Sequence, residues 1–367
     1  MKKVGVAVLG LGVVGGGTCK ILLDRRARIR EEYGVDVEIV AALDRVAQRA
    51  VDLGLNPNIL AANIDEIALN PKVDIVVECM GGVEPAKSFM IRALEAGKSI
   101  VTSNKEMFAK SWPELERVAA KTGAGLYYEA TTGGGMPIIR MMTQAMQANN
   151  VLEIKAIING TTNYILTRMT EEGADYADVL KDAQALGFAE ANPVADVEGY
   201  DSGYKLSILS SLAFNKRLPV DLIYREGITK ITAKDIAIGK EMGFIVKLLA
   251  IAKQKDGKIE VRVHPVFLPK HHPLASVNGA FNAVFVVGDA VGDIMLYGQG
   301  AGALPTGSAI VSDIVFCARQ EKHARYGEMN DVVDAGQIIA DFESEYYLRL
   351  NVRDVSGVIA DIANVFK

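Results

Sequence analysis

The segment KVGVAVLGLGVVG, residues 3–15, joins an apolar run to a glycine-rich turn. Its first part, Lys3–Leu9, is rich in valine and lacks polar alternation, which is typical of a parallel strand buried on both faces. Gly10, Gly12 and Gly15 then form the pattern G-x-G-x-x-G at the start of a helical stretch. The first glycine permits a tight turn, the second lets a pyrophosphate approach the backbone, and the third lets helix pack on strand. The segment predicts a dinucleotide-binding βα unit, with a tight turn that binds no ligand as the alternative.

Another apolar run, Val37–Leu43, follows the helix and ends at Asp44. An acid at this position binds the adenine ribose in proteins that use NAD. Arg45 comes next and Arg49 lies one turn further, where a guanidinium could instead bind the 2′-phosphate of NADP. NAD and NADP therefore both remain open. The residues expected to contact the cofactor in these two segments are Gly10, Leu11, Gly12, Val13, Val14, Gly15, Asp44 and Arg45.

Two further buried strands are predicted at Val73–Gly82 and Lys98–Thr102. Ser103, Asn104 and Lys105 follow the second of them, at the carboxyl end of a strand, where open α/β sheets bind ligands. We expect these three residues to line the cofactor site, although Lys105 could equally be a surface lysine at a helix start. The elements predicted to complete this first domain are a helix over Trp112–Lys121 and a strand over Gly125–Glu129.

The pattern changes after Val151, where apolar runs are grouped as hairpin strands and helices are grouped separately. Asp256-Gly257 is a typical hairpin turn between two of these runs. The glycine-rich stretch Gly298–Gln320 opens a helix that we expect to return to the first domain. The predicted fold class is α/β, with a doubly wound Rossmann nucleotide-binding domain and an α+β domain built on a mixed sheet. The strands predicted in the second domain are Leu152–Ile158, Phe244–Ala252, Lys258–His264, Ala283–Val287 and Asp293–Tyr297.

The segment LGFAEANPVADVEGYDSGYK, residues 186–205, places several acids before one lysine. If a helix begins near Asp201, the i,i+4 spacing puts Asp201 and Lys205 on one face of it. The apolar continuation LSILSSLAF would bury that helix and hold both groups in place. A fixed lysine among carboxylates can bind an anion or protonate an alkoxide. The alternative is a solvated acidic turn with an ordinary surface ion pair.

Composition excludes several classes of protein. The chain has 367 residues and a net charge of −5, without a basic stripe that would bind nucleic acid. No run of 18 apolar residues is present, so we expect no membrane span. The cysteines, Cys19, Cys79 and Cys317, are widely separated and lie among apolar residues, which favours reduced thiols in a cytoplasmic protein.

Taken together, these segments resemble the homoserine dehydrogenase family over residues 2–320. The stretches that carry the resemblance occur in the family's order: GLGVVG, SNKEMFA, YEATTGGGMPII, NGTTNYIL, LGFAEANPVADVEGYDSGYK and GQGAGALPTGSAI. The resemblance implies an oxidoreductase of amino-acid biosynthesis that interconverts L-aspartate 4-semialdehyde and L-homoserine with NAD or NADP. Another NAD(P)-dependent amino-acid reductase, or a non-catalytic sensor of nucleotide and amino acid, is the alternative.

The resemblance also implies roles for individual residues. Lys205 matches the catalytic lysine, Asp201 the acid that orients it, and Lys105 the lysine between nicotinamide and substrate. Gly302 is expected beside the cofactor. The residues implied to bind substrate are Glu190, Asp196, Gly160 and Thr161. A monovalent cation, usually sodium, is implied at Glu129 and the backbone carbonyls of Thr132, Gly134 and Met136.

A domain division follows from the same resemblance. Residues 1–130, with about 303–322, are expected to bind NAD(P), and residues 131–302 to form the catalytic domain that also makes a homodimer or higher oligomer. Residues 323–343 are expected to be a linker. Residues 344–367 resemble the opening strand and helix of an ACT domain, as an incomplete module.

Three positions depart from the family pattern. Phe188 stands where many members have tyrosine, which removes one hydrogen-bonding group near the substrate. Leu43 precedes Asp44 where NADP-preferring members often have arginine. Ser356 stands where proline often precedes the glycine of the ACT-like stretch. The resemblance implies that longer members of the family sense threonine through this domain, so the departure argues against threonine regulation of this chain as given.

Overall fold

The computed structural model describes residues 1–323 and 331–367. The strands are β1 Lys2–Leu9, β2 Val35–Leu43, β3 Ile75–Glu78, β4 Ser99–Thr102, β5 Leu126–Tyr127, β6 Val151–Ile157, β7 Tyr224–Arg225, β8 Phe244–Lys255, β9 Lys258–Pro269, β10 Phe281–Gly288 and β11 Gly292–Gln299. The helices are α1 Val13–Tyr33, α2 Gln48–Asp52, α3 Ile64–Ala68, α4 Ala86–Glu95, α5 Lys105–Thr122, α6 Ile138–Arg140, α7 Gly160–Glu172, α8 Tyr176–Ala185, α9 Val194–Val197, α10 Tyr200–Phe214, α11 Ala233–Glu241, α12 Ala303–Arg319 and α13 Val358–Val365.

The first sheet is parallel, in the order β2-β1-β3-β4-β5. Val6 and Val8 of β1 pack with α1 and α12, whereas Ala7 and Leu9 belong to the core formed with α4 and α5. Both faces of the strand are therefore buried, which explains its unbroken apolar run. The chain reverses direction across the sheet between β1 and β3, and a doubly wound sheet binds ligands at that switch point. The predicted Rossmann architecture is confirmed.

The returning helix α12 packs directly on α1. A Cβ atom at Gly17 would lie 2.1 Å from the carbonyl oxygen of Ala303, and one at Gly307 would lie 2.9 Å from the amide nitrogen of Thr18. Glycines at both points let the two helix backbones approach. The predicted return of the chain after Gly298 is confirmed.

The second sheet is mixed, in the order β11-β10-β6-β8-β9-β7. Adjacent strands in this sheet are antiparallel, except that β7 pairs with β9 in parallel. Helices α7 and α10 cover one face through residues such as Ile165 and Leu209, and a smaller apolar cluster lies on the other face. The predicted mixed α+β unit is confirmed, although the two-residue strand β7 was not predicted.

Helix α5, which covers the first sheet, packs against α10, which covers the second sheet. The guanidinium of Arg217 lies 3.8 Å from the ring centroid of Trp112 and pairs with Glu116. Nearer the helix start, the hydroxyl of Tyr204 donates to Glu106 Oε1 at 3.3 Å. This contact brings the start of α5 beside the start of α10.

Two predicted elements differ from the structure, one in its start and the other in its existence. The helix predicted over Trp112–Lys121 begins earlier, at Lys105, because Asn104 caps it and its apolar face continues through Pro113. The strand predicted at the start of Tyr346–Lys367 is absent: residues 344–355 contain no strand, and only α13 forms. A strand needs a neighbour to satisfy its backbone groups, and no described segment provides one there.

The predicted linker is partly described. Its residues 324–330 lie outside the described residues. Residues 331–343 form backbone hydrogen bonds with the segment after α10 and with β9 of the second sheet. The amide of Val333 donates to the carbonyl of Arg217, and the amide of Ile339 donates to the carbonyl of Ile259, each at 2.8 Å. Within the described ranges, none of the helices has the length and apolar character needed to cross a bilayer.

Candidate active site

Asp201 and Lys205 form a buried ion pair at the start of α10. Gly199, with φ of +78°, turns the chain into the helix, so Asp201 lies in its first turn. Lys205 Nζ donates to Asp201 Oδ2 and to the carbonyl oxygen of Ile158, each at 2.6 Å. Both side chains are less than a tenth exposed. The predicted i,i+4 pair is confirmed, and the alternative of a surface ion pair is wrong.

Lys105 reaches the same carboxylate from the first domain. It is the first residue of α5, whose N-cap Asn104 accepts a hydrogen bond from the amide of Met107 at 3.2 Å. Lys105 Nζ lies 2.9 Å from Asp201 Oδ1, and its side chain is 40% exposed. Asp201 thus holds one lysine on each oxygen, a buried one and a partly exposed one.

The charges shift one another's pKa values. Burial works to raise the pKa of Asp201, but the charges of Lys205 and Lys105 and its hydrogen bonds outweigh this and lower it. Burial lowers the pKa of Lys205, and Lys105 adds to this effect against the attraction of Asp201. The charge of Asp201 raises the pKa of Lys105. Lys205 is therefore the member of the cluster that gives up its proton more readily than an ordinary lysine.

The four residues implied to bind substrate lie around this cluster. Asp196 accepts a hydrogen bond from Asn159 Nδ2 at 2.7 Å. Thr161 Oγ1 donates to the carbonyl of Phe188 at 2.7 Å, which ties the start of α7 to the loop that carries Glu190. Glu190 is exposed, and its charge contributes to the raised pKa of Lys105. A further constraint acts at Gly160, where a Cβ atom would lie 2.8 Å from the carbonyl oxygen of Ala280.

The glycine-rich turn lies at the carboxyl end of β1. Gly10 has φ of +88°, and a Cβ atom at Gly15 would lie 1.8 Å from the carbonyl oxygen of Gly10. The fold itself therefore requires both glycines. At Gly12 a Cβ atom would meet nothing within 4 Å. No side chain caps the N-terminus of α1, and Val13 there is 73% exposed. Free amides and open space at this helix start fit a bound pyrophosphate.

Asp44 is tied to this turn. Its Oδ2 accepts from the amide of Leu11 at 2.6 Å, and its Oδ1 accepts from the amide of Val46 at 2.8 Å and from Arg49 Nη1 at 3.2 Å. Although burial opposes the charge, these hydrogen bonds lower the pKa of Asp44. Arg45 is exposed beside it. Arg49 thus pairs with the acid, and the geometry leaves NAD and NADP open.

The remaining predicted cofactor residues occupy neighbouring loops. Val14 lies in the first turn of α1. Ser103 donates its amide to the carbonyl of Glu78 at 3.2 Å. Asn104 Nδ2 donates to the carbonyl of Gly82 at 2.6 Å. Gly302, with φ of +130°, precedes α12, and its carbonyl accepts from the amide of Thr306. These loops gather at the carboxyl edge of the first sheet.

Sequence reasoning missed a buried acid at that edge. Glu78 is fully buried, and burial raises its pKa against the hydrogen bonds it accepts. Its Oε2 accepts from Thr102 Oγ1 and its Oε1 from the amide of Met80, each at 2.7 Å. The carboxylate thus joins the ends of β3 and β4. A single acid closing the apolar run IVVE was the available signal.

The residues implied to hold a cation follow β5 and lead into α6. Both carboxylate oxygens of Glu129 accept backbone amides, Oε1 from Ile139 at 2.7 Å and Oε2 from Arg140 at 2.9 Å. Burial and the charge of Asp313 raise the pKa of Glu129 to about 7. Thr132, Gly134 and Met136 form the following turn. No cluster of three His, Cys, Asp or Glu side chains suited to a metal occurs among the described residues.

Comparisons with known proteins agree with this geometry. The family model "Homoserine dehydrogenase, NAD binding domain" matches residues 10–129, and the model "Homoserine dehydrogenase" matches residues 137–315. The chain is 42% identical over 377 residues to the homoserine dehydrogenase of Mycobacterium tuberculosis strain H37Rv, covering 100% of this chain and 84% of that protein. It is 38% identical over 372 residues to the Bacillus subtilis strain 168 enzyme, covering 100% and 85%.

Solved structures extend the likeness to the fold. The homoserine dehydrogenase of Thiobacillus denitrificans superposes with a TM-score of 0.89 at 37% identity, covering 100% of this chain and 86% of that one. A hyperthermophilic archaeal homoserine dehydrogenase, solved in complex with NADPH, superposes with a TM-score of 0.74 at 27% identity, covering 88% and 100%. The relatives match over the whole of this chain, and the two family models cover both sheets. The chain therefore belongs to the homoserine dehydrogenase family of NAD(P)-dependent oxidoreductases that act on a CH–OH group.

Proposed function

We propose that the cluster of Lys205, Asp201 and Lys105 is the catalytic centre at which L-aspartate 4-semialdehyde and L-homoserine are interconverted. The observation that carries this proposal is a buried lysine and a partly exposed lysine on the two oxygens of one buried carboxylate. The two lysines come from different domains, so the cluster lies where the cofactor-binding edge of the first sheet meets the second domain. A hydride donor on one side and a proton donor on the other is the arrangement that carbonyl reduction requires.

A bound nicotinamide supplies or accepts the hydride. The substrate oxygen that becomes an alkoxide takes its proton from Lys205, whose lowered pKa favours proton release. Asp201 orients the ammonium of Lys205, and Lys105, which is partly exposed, stabilises the developing negative charge. We assign the ammonium group of the amino-acid substrate to Glu190 and Asp196, which the family resemblance implies as substrate-binding residues. Asp196 is joined to the cluster through Asn159, and the charge of Glu190 acts on Lys105.

Steady-state oxidation of L-homoserine, with NAD and NADP in parallel and with sodium or potassium present, tests this function and the cofactor preference. We expect turnover with at least one cofactor, and the ratio of the two kcat/KM values reports whether Asp44 or the neighbouring arginines dominate. Absence of turnover with either cofactor, while the nicotinamide cofactor still binds, would contradict the proposal and favour a nucleotide- and amino-acid-sensing protein.

Gly12→Ala is expected to weaken cofactor binding without weakening the fold. The backbone at Gly12 has φ of −69°, which alanine adopts freely, and the added Cβ atom meets no protein atom within 4 Å. We expect Tm to change little, as for surface substitutions in general, and the Kd of NADPH, measured by fluorescence titration, to rise about tenfold or more. Gly15→Ala is the contrasting variant and should lower Tm sharply. Unchanged NADPH affinity in Gly12→Ala would place the pyrophosphate elsewhere.

Two further assignments extend the proposal. A sodium ion bound by Glu129 and the backbone carbonyls of Thr132, Gly134 and Met136 would hold the two domains in register. A homodimer formed through the second domain is supported by an exposed aromatic pair at the edge of its sheet, in which Phe281 and Tyr297 stack at 5.1 Å.

The boundaries of the units are part of the same proposal. Residues 1–130 with about 303–322 form the NAD(P)-binding domain, and residues 131–302 form the catalytic domain. An ACT-like origin for residues 344–367 is supported by α13, whose apolar residues Ile359 and Val365 are more than four-fifths exposed, as expected for a helix that packs on a sheet in its family context.

A further inference from the structure

Asn159 uses every hydrogen-bonding group of its side chain at the catalytic cluster. Its Oδ1 caps α7 by accepting from the amide of Thr162 at 2.9 Å and from Thr162 Oγ1 at 3.0 Å. Its Nδ2 donates one hydrogen bond to Asp196 Oδ1 at 2.7 Å and another to Asp201 Oδ2 at 2.9 Å. The side chain is 4% exposed. A carboxamide offers two N–H groups and one acceptor oxygen, so its capacity is fully used.

The two carboxylates joined by this amide repel each other. Asp196 lies in α9 and Asp201 in α10. Burial raises the pKa of Asp196, and the charge of Asp201 adds to this effect. The lysine contacts go to Asp201, whereas the described hydrogen bond to Asp196 comes from Asn159. The amide is therefore the group that connects the acid of the proton-donating pair to the acid proposed for the substrate ammonium.

We propose that Asn159 is a positioning residue that fixes Asp196 relative to the Asp201–Lys205 pair, and so fixes the distance between the bound substrate ammonium and the proton donor. This inference rests on the roles proposed above for those three groups. A displacement of about 1 Å in such a constellation can cost about a hundredfold in rate. Helix capping alone would make Asn159 structural, so the experiment has to separate the cap from the two donated hydrogen bonds.

Substitution by serine and by aspartate makes that separation. Asn159→Ser keeps an oxygen that caps a helix well but has no N–H pair for the two acids. Asn159→Asp keeps the shape and the cap but turns an acceptor oxygen toward both carboxylates. We expect the serine variant to lose about ten- to a hundredfold in kcat/KM for L-homoserine, through a higher KM and a lower kcat, and the aspartate variant to lose more. The Kd of NADPH should be unchanged in both variants, because the glycine-rich turn is not in contact with Asn159.

A matched control is Asn63→Ser, which makes the same change at the N-cap of α3, a helix that packs on α4 and β2. It should leave kcat/KM and NADPH affinity as in the wild type. In an Asp196→Asn background, the effect of Asn159→Ser on KM should shrink, since the pair that it positions is already broken. Serine and aspartate variants with wild-type kcat/KM would overturn the proposal and leave only the cap.

The Kd of L-homoserine, measured by calorimetry on the NADPH complex, separates this inference from the proposed function. A wild-type protein that binds L-homoserine but does not turn it over refutes the function, and weaker binding in Asn159→Ser would still support the positioning role. An active wild type whose L-homoserine affinity and KM are both unaffected by Asn159→Ser refutes the positioning role alone.

Discussion

Replacing Lys205 with methionine is expected to lower kcat by about a hundredfold or more, the usual scale for removing a general acid. Methionine fills nearly the same volume as the lysine stem, so packing around α10 is preserved. The buried ammonium, however, is the group that contacts both Asp201 and the carbonyl of Ile158. Without it, the alkoxide formed at the substrate carbonyl has no buried proton donor. Steady-state reduction of the semialdehyde and oxidation of homoserine measure the loss in both directions.

The control for Lys205→Met is Lys253→Met. Lys253 is 39% exposed and pairs with Glu153 on the second sheet. An ion pair of this kind contributes little, so kcat and Tm should both stay close to wild type. Normal turnover in Lys205→Met would refute the role assigned to the lysine and would leave Lys105 as the proton donor.

Asp201→Asn is expected to reduce both activity and stability. The substitution keeps the shape of the side chain but leaves Lys205 buried without its counter-charge. Breaking a buried ion pair in this way costs roughly 3–5 kcal/mol of the free energy of unfolding. Activity should fall by about a hundredfold or more, because Lys205 and Lys105 both lose the carboxylate that orients them. Urea unfolding and steady-state kinetics of the same preparation measure the two effects.

The stability loss in Asp201→Asn should depend on pH in a defined direction. Burial already lowers the pKa of Lys205, and Asp201 is the charge that opposes this effect. Without Asp201, the pKa of Lys205 in the folded protein falls further below the pKa of the same lysine in the unfolded chain. Between these two pKa values the folded state therefore binds fewer protons than the unfolded state. Stability then rises with pH toward the unfolded lysine pKa, and the loss should be smaller at about pH 9.5 than at about pH 7.

Asp182→Asn provides the matched control for this variant. Asp182 is 58% exposed and pairs with Arg168 at 3.4 Å. We expect its removal to change the free energy of unfolding by less than about 1 kcal/mol and to leave kcat unchanged. A loss of stability in Asp201→Asn that is equally small at both pH values would contradict the buried-pair interpretation.

Local patterns predicted much of the fold. The run Lys3–Leu9 and its glycines predicted a strand, a turn and a helix correctly, because burial on both faces and the space around Gly15 constrain neighbouring residues directly. The helix start predicted at Trp112 and the strand predicted after Tyr346 were wrong for a related reason, although the helix itself was predicted correctly. The first depends on a cap at Asn104, outside the predicted helix, and the second depends on a neighbouring strand that the described chain lacks.

The acidic segment illustrates the limit of sequence reasoning. Its spacing predicted that Asp201 and Lys205 share a helix face, but it did not distinguish a surface pair from a buried one. That distinction depends on Ile158 at the end of β6 and on the apolar residues of α10, which cover the pair. Glu78 and Asn159 were missed because their partners lie in other loops and helices, so their neighbours in sequence do not indicate a function.

The sequence by itself determined the doubly wound cofactor-binding unit, the mixed-sheet second domain and the helix that carries one lysine and one acid a turn apart. These features depend on periodicity and on backbone space, which act between residues close together in the chain. Only the tertiary structure decided that Lys105 meets Asp201, that Asn159 joins the two acids and that Lys205 is buried. Charges acquire shifted pKa values when distant elements exclude water from them, and the packing of α5 on α10 is the contact that brings those elements together.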